Sequence, residues 1–325
     1  MNIKKFLLAM LITVFALVTV AGGATLANFL YGDSLSDEIT RLLDKPVGKK
    51  INILLMGLDE DKTRSDTIMI VTVNPEDNTV KLLSIPRDTR VYVGKSSIKI
   101  NSTMGYKKRE ELMIQKLREI TGMPIHYYAE VDFSGFKKIV DVLGGVDYNV
   151  PYSMNYDDPT QNLHIHFSPG MQHLDGQKAH DYVRFRQNNN HTAPGLYALG
   201  DEGRIQAQQE FLKEFFKQKL QPQYLSKAPE LINEIYKYVK TNFSIADAIR
   251  YSGMLKKIDP STFETHVLPG EARYVGGVSY FIHHPNATQD LVYKKFGYLN
   301  GVSVTPPPEP SPSESASAAP TSSAN

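Results

Sequence analysis

The sequence predicts the α/β class: a mixed central β-sheet flanked by helices and preceded by one transmembrane helix. Three observations lead there. Residues 51–85 hold three strand-like runs joined by short links, the chain beyond residue 108 mixes helical periodicity with further strand-like runs, and an uncharged stretch near the amino terminus exceeds twenty residues. At 325 residues, 41% hydrophobic and 22% charged, the chain can bury a core of ordinary globular size.

Lys4 and Lys5 precede the uncharged run from Phe6 to Tyr31, which opens on "FLLAMLITVFALVTVA". That length can cross a bilayer, and paired lysines ahead of it place residues 1–5 in the cytoplasm and the remainder outside. A cleaved signal peptide has a shorter apolar core and a small-residue cleavage site, and this run has neither. The expected layout is an anchor over 6–31, a polar juxtamembrane linker over 32–50, an extracytoplasmic domain over 51–302 and a tail over 303–325. The tail is rich in Pro, Ser and Ala without an aromatic residue, a composition that cannot pack a core and predicts disorder. The chain is thus expected in the cell membrane as a single-pass protein with a cytoplasmic amino terminus.

The domain begins with "INILLMGL", "TIMIVTVN" and "TVKLLSI", and the turn-rich "NPEDN" between the last two implies an antiparallel meander. Helical periodicity follows in "KREELMIQKLREI" and "SGFKKIVDVLGG", which flank the strand-like "IHYYAEVDF", whose aromatic residues read as core. Later segments with the same periodicity are "GRIQAQQEFLKEFFKQKL", "APELINEIYKYV" and "IADAIRYSGMLKKI".

An up, down, up meander brings the end of strand one, the start of strand two and the end of strand three to one sheet edge. Asp59, Arg64 and Asp66 of "DEDKTRSD" then face Arg87 and Asp88 of "PRD". In "DYVRFRQ", period-two alternation predicts a strand with Val183 and Phe185 on one face and Arg184 and Arg186 on the other. The apolar stripe of Phe211, Leu212 and Phe215 continues backward by helical steps to Gln208 and Arg204, so polar groups extend a buried face and are expected to line a cavity. Of eleven arginines, Arg64, Arg87, Arg90, Arg184, Arg186 and Arg204 fall in these few segments. Arginine's planar, permanently charged fork suits phosphate or carboxylate, so an anionic and phosphorylated ligand is expected. Taken singly, each motif also has a structural reading: a local ion pair for R-x-D, a solvated strand edge for Arg-x-Arg, a turn cap for Asp59.

The ordered set "NILLMGLD", "RSDTIMIVTVN", "LLSIPRDTRVYV", "KINSTMGY", "YYAEVDFSGFKKIVDVLGGVDYNV", "LDGQKAHDYVRFR" and "GDEGRIQAQQ" resembles the LytR/CpsA/Psr family, over roughly residues 51–219. The resemblance implies an α-β-α layered domain and an enzyme of the envelope of a Gram-positive bacterium. Such an enzyme takes a lipid-linked anionic glycopolymer, wall teichoic acid or similar, from a polyprenyl diphosphate carrier and joins it by a phosphodiester to the peptidoglycan glycan strand. Carried over by motif, Asp59 and Asp66 would hold Mg²⁺, with Mn²⁺ as the alternative cation. Arg64, Arg87, Arg184, Arg186 and Arg204 would grip phosphate oxygens beside Gln208, with Lys99 and Asn101 on the rim. Arg87 would act in catalysis, and the base for the acceptor hydroxyl stays open among Asp59, Asp88 and Asp201; Asp88 can instead orient an arginine. The family also implies an apolar groove for the lipid, whose walls the sequence does not locate.

Two other functions use the same residues: hydrolysis of a polyprenyl diphosphate, and non-catalytic retention of polyprenyl phosphates by a regulator. A formal net charge of +1 and the expected outside location argue against a nucleic-acid partner. The absence of cysteine excludes disulfides, thiolate metal sites and a cysteine nucleophile. His164 and His166 of "NLHIHF" share a strand face, but no third ligand is evident beside them, so they read as ordinary strand histidines.

Overall fold

The computed structural model describes residues 50–59, 61–219, 234–243, 258, 262–299 and 301–303. The expected anchor, the linker before residue 50, the tail beyond 303 and the helical segments between 220 and 257, apart from 234–243, lie outside the described residues.

The meander forms as expected: β1 (Ile51–Leu58) pairs antiparallel with β2 (Ser65–Asn74), and β2 with β3 (Thr79–Ile85). The register Met56↔Ile68↔Ile85 gathers the end of β1, the start of β2 and the end of β3 at one edge. A small ladder, β4 (Arg90–Val93) with β5 (Ser96–Lys99), leads through a 3-10 turn at Ile100–Gly105 into α1 (Arg109–Thr121). Gly122 ends α1 at φ 67°, the left-handed conformation that glycine adopts without side-chain strain.

β6 (Tyr127–Val131) then adds parallel to β1, and α2 (Phe133–Val142) starts where the Asp132 side chain accepts from the Gly135 N–H. Two antiparallel ladders follow, β7 (Val146–Val150) with β10 (Gly170–Leu174) and, between them in the chain, the hairpin β8 (Met154–Asp158) and β9 (Leu163–Phe167). α3 (Gly176–Arg184) is capped by Asp175, and α4 (Asp201–Lys219) packs beside it. β11 (Lys240–Thr241) and β12 (Glu264–Val267) complete a six-stranded mixed sheet in the order β11-β6-β1-β2-β3-β12. A hairpin of β13 (Gly270–Val275) and β14 (Val278–His283) precedes the short α5 (Pro285–Leu291).

The central strands are buried on both faces, which is why they read as continuous apolar runs rather than alternating ones. Ile51, Ile53 and Leu55 face a core closed by α2, α3 and α4, whereas Leu54, Met56 and Leu58 face one closed by α1 and the segment after α5. Helices on both faces give the α-β-α layering. Lys50, just ahead of β1, donates to the carbonyls of Phe296 and Gly297 at 3.3 and 3.4 Å, so the start of the domain is clipped to its carboxyl-terminal end.

Candidate active site

The sheet edge that collects the ends of β1 and β3 and the start of β2 opens into a cavity of about 880 Å³. Its wall includes Asp59, Arg64, Asp66, Arg87, Asp88, Lys99, Asn101, Arg184, Arg186, Arg204 and Gln208, eleven of the twelve positions to which the resemblance assigns a role. The twelfth, Asp201, opens α4, and its side chain lies outside the described residues.

Each group is placed by local structure. After β3 the chain turns at Pro86, whose carbonyl accepts from both the N–H and the hydroxyl of Thr89, and the Asn101 N–H docks on the Arg87 carbonyl. Arg87 is thereby aimed back across the edge, and its Nη1 donates to Asp66 Oδ1 at 2.5 Å. Asp88 pairs with Lys99 at 3.0 Å, so the expectation that it orients an arginine gives way to a lysine contact across the β4–β5 ladder. Asp59 has the capping role as well: its Oδ1 accepts from the N–H groups of Thr63 and Arg64 at 2.9 and 3.1 Å, folding the "DEDKTRSD" loop over the rim.

The "DYVRFRQ" strand is corrected. Residues 181–184 form the last turn of α3, and only from Phe185 onward is the backbone extended (φ −59°, ψ 137°). The reason is packing: Ala179 and Tyr182 bury one helical face, and Phe185 plugs the core edge-on to Tyr197 with ring centroids 4.9 Å apart. Arg184 and Arg186 still reach one cavity, one from the helix end and one beyond it. α4 delivers the remaining pair as its stripe predicted. Arg204 is buried at 7% exposure, and Gln208 lines the cavity while its Nε2 donates to the Val183 carbonyl at the end of α3.

Arg90 does not join them. Its Nε donates to Ser97 and its guanidinium lies over the rings of Tyr92 and Tyr280, so although it pairs across the ladder with the lining Lys99 it does not itself line the cavity. Phe133, expected in the core, instead lines the cavity with the Arg184 guanidinium over its ring at 5.1 Å. His180 meets the Phe133 ring edge-on, and Gln161 of the β8–β9 turn accepts from Arg184. Nothing in the local sequence marked Phe133, Gln161 and His180, because they arrive from three separate elements. Burial holds His180 down to about 4, against a smaller opposing effect of Asp181, so it is neutral at pH 7.

The lining carries six Arg or Lys side chains against Asp59, Asp66, Asp88 and Asp132, and Asp132 is already engaged by Lys62 at 2.8 Å. A cavity with that excess favours an anion of more than one charge. Leu58, Val131, Phe133, Phe136, Leu163 and Val183 give it an apolar side as well. The site therefore suits a ligand that is phosphorylated at one place and greasy at another.

Known proteins are similar to this chain in sequence and fold. A model of the LytR_cpsA_psr family matches residues 29–296. The polyisoprenyl-teichoic acid–peptidoglycan teichoic acid transferase TagU of Bacillus mycoides is 30% identical over 315 residues, 91% of this chain and 98% of its own. The corresponding TagV of Bacillus subtilis is 28% identical over 78% of this chain, a match that spans 64% of TagV's length. The TagV crystal structure superposes with a TM-score of 0.63 at 26% identity, covering 76% of this chain and 95% of the solved one. A structure described as TagT bound to LI-WTA gives 0.59 at 25% identity, over 78% and 92%.

Proposed function

The chain belongs to the LytR_cpsA_psr family and is a transferase, and from that premise we propose that it moves an anionic glycopolymer from a polyprenyl diphosphate carrier to peptidoglycan. The observation that carries the reading is the convergence of six cationic side chains and the Asp66–Arg87 pair on one cavity with an apolar side.

In this reading the diphosphate lies along Arg64, Arg87, Arg184, Arg186 and Arg204, and the first isoprene units lie against Phe133, Phe136 and Leu163. A hydroxyl of the glycan strand attacks the phosphorus nearer the polymer. The new P–O bond completes a phosphodiester, the bond to the bridging oxygen breaks, and polyprenyl monophosphate leaves with the electron pair. Fixed guanidinium groups stabilise the charge that spreads over the equatorial and leaving oxygens without reorganising at the moment of reaction. The hydroxyl's proton passes to a carboxylate drawn from Asp59, Asp88 and Asp201.

Asp59 and Asp66 fit a hard divalent cation. Each carboxylate uses Oδ1 within the protein, while Asp59 Oδ2 has only a 3.5 Å contact to Thr63. Mg²⁺ or Mn²⁺, bound there with waters and substrate phosphate, would neutralise diphosphate charge. Residues 6–31 are proposed to hold the enzyme in the membrane beside its lipid donor, with the cavity outside the cell.

The test is to incubate full-length chain in detergent with a lipid-linked teichoic acid precursor, nascent peptidoglycan and Mg²⁺, alongside Arg87→Ala and Asp66→Ala. Polymer bound covalently to glycan by wild type and lost in both variants supports the proposal. Release of free polymer phosphate points to hydrolysis instead, and lipid binding without turnover to a regulator.

A further inference from the structure

The β8–β9 hairpin supplies the third ligand that the sequence left without a place. His164 and His166 lie two apart on β9 and share its outward face, while Leu163, Ile165 and Phe167 are buried. Antiparallel register sets Asp157 opposite His164 and Asn155 opposite His166. Asp157 Oδ1 lies 2.6 Å from His164 Nδ1 and 3.2 Å from His166 Nε2, and one ligand atom from each of the three residues falls within 4.8 Å of the others. Asn155 Oδ1 lies 2.6 Å from His166 Nδ1. It accepts that ring proton, which fixes the tautomer and leaves the Nε2 lone pair directed at Asp157.

We propose that Asp157, His164 and His166 form a binding site for a divalent transition-metal ion, Zn²⁺ by ligand type, separate from the cavity that takes the diphosphate. Two imidazoles and one carboxylate are the donor set of an open zinc site, which keeps its fourth position for water or another ligand. Mg²⁺ and Ca²⁺ prefer all-oxygen shells and are disfavoured here. With metal–ligand bonds of about 2.0–2.1 Å, tetrahedral ligand atoms lie about 3.3 Å apart. The His166–Asp157 separation already matches, and the His164 contact opens by less than 1 Å through movement of the histidine, which is more than half exposed. His164 shifts its proton to Nε2 when Nδ1 takes the metal.

The position gives the site a consequence. The same hairpin presents Tyr156, Gln161 and Leu163 to the main cavity. Its backbone N–H groups at Asn155 and Asp157 donate to the side chains of Asn188 and Asn189, on the loop that follows Arg186. A metal bridging β8 and β9 therefore braces one wall of the cavity and, through that loop, the arginine segment beside it.

The experiment is calorimetric titration of untagged, chelator-stripped full-length chain with ZnCl₂ alone, in excess Mg²⁺ to occupy the carboxylate rim. One equivalent is expected to bind. Asn155→Ala is expected to weaken it about tenfold or more, as loss of an orienting partner does, and Asp157→Asn or the pair His164→Gln/His166→Gln by a larger factor. All these side chains lie on the hairpin's outward face, so the metal-free variants are expected to unfold at the wild-type denaturant concentration. Long-range ¹H–¹⁵N spectra of wild-type protein read the site with no substitution at all: one equivalent should move His164 Nδ1 and His166 Nε2 and leave the other seven histidines in place. No binding, unaltered affinity in the double variant, or shifts confined to other histidines would each overturn the proposal.

Discussion

Arg87 Nη1 and Asp66 Oδ1 meet at 2.5 Å across the edge where β3 ends and β2 begins. Asp66 is 37% exposed at its side chain and Arg87 23%, so solvent and ligand reach a pair that is already oriented. Its value lies less in stability than in aiming a guanidinium at the cavity.

Arg87→Lys keeps the charge and loses the fork. Transfer is expected to fall about 10²–10³-fold in kcat, the scale for losing one preorganised donor to transition-state charge. Single-turnover kinetics against unfolding midpoints check it: an unchanged kcat would remove Arg87 from the chemistry.

Two buried histidines set an acid limit on stability. Burial holds both His126 and His180 down to about 4, and His126 Nδ1 accepts from the Asn52 N–H at 2.8 Å, which requires the neutral ring. Between pH 4 and about 6.5 the unfolded chain binds protons that the folded one refuses, so stability rises with pH across that window. Acidifying from pH 7 to 5 is expected to cost about 2 kcal/mol per histidine. Buried Glu130, raised to about 8, acts in the opposite sense, so the check is the difference in urea midpoints between wild type and His180→Gln at the two pH values, which should show the variant losing less on acidification.

Asn52 sits fully buried near the start of β1, its amide donating to the Pro124 carbonyl at 2.7 Å and its oxygen accepting from Thr72 at 2.7 Å. Asn52→Ala strands both partners and is expected to destabilise by roughly 2–4 kcal/mol. Adding Thr72→Val removes one stranded hydroxyl and should recover part of the loss, a coupling that denaturation of the double variant reads directly.

At Gly176 a Cβ would collide with the Lys137 carbonyl and approach Asp141 Oδ1 at 2.7 Å. Gly176→Ala is expected to cost about 1–3 kcal/mol by forcing α2 and α3 apart. Because α3 carries His180 and Arg184, transfer at a temperature where the variant is still folded should fall too, whereas a purely local strain would leave it intact.

The meander and its charged edge were legible because strand pairing over short links is a local property and the end residues follow from direction alone. The α4 stripe was legible for the same reason, since helical steps from Phe211 fix where Arg204 and Gln208 point. "DYVRFRQ" misled because two periods coincide over so short a stretch; the better signal lay upstream, in the Asp175 cap that starts α3. Phe133 and Gln161 were invisible as cavity residues, and Asp157 as a partner of His164, because each depends on which elements become neighbours in space.

The clip between Lys50 and the carbonyls of Phe296 and Gly297 fixes the end of the sheet at which the preceding residues join the domain. From that end of the sheet, β1 runs eight residues to Leu58 on the cavity wall, about 25 Å at strand rise. If residues 6–31 span the bilayer, the catalytic mouth lies at the far end from its tether, and the domain must tip over to meet a membrane-held donor. Residues 32–49 reach at most about 60 Å, ample for that excursion. Cut to about eight residues, they reach less than about 30 Å. Such a variant should fail with donor embedded in vesicles yet keep its rate on a soluble short-chain donor, making leash length a dial on access rather than on chemistry.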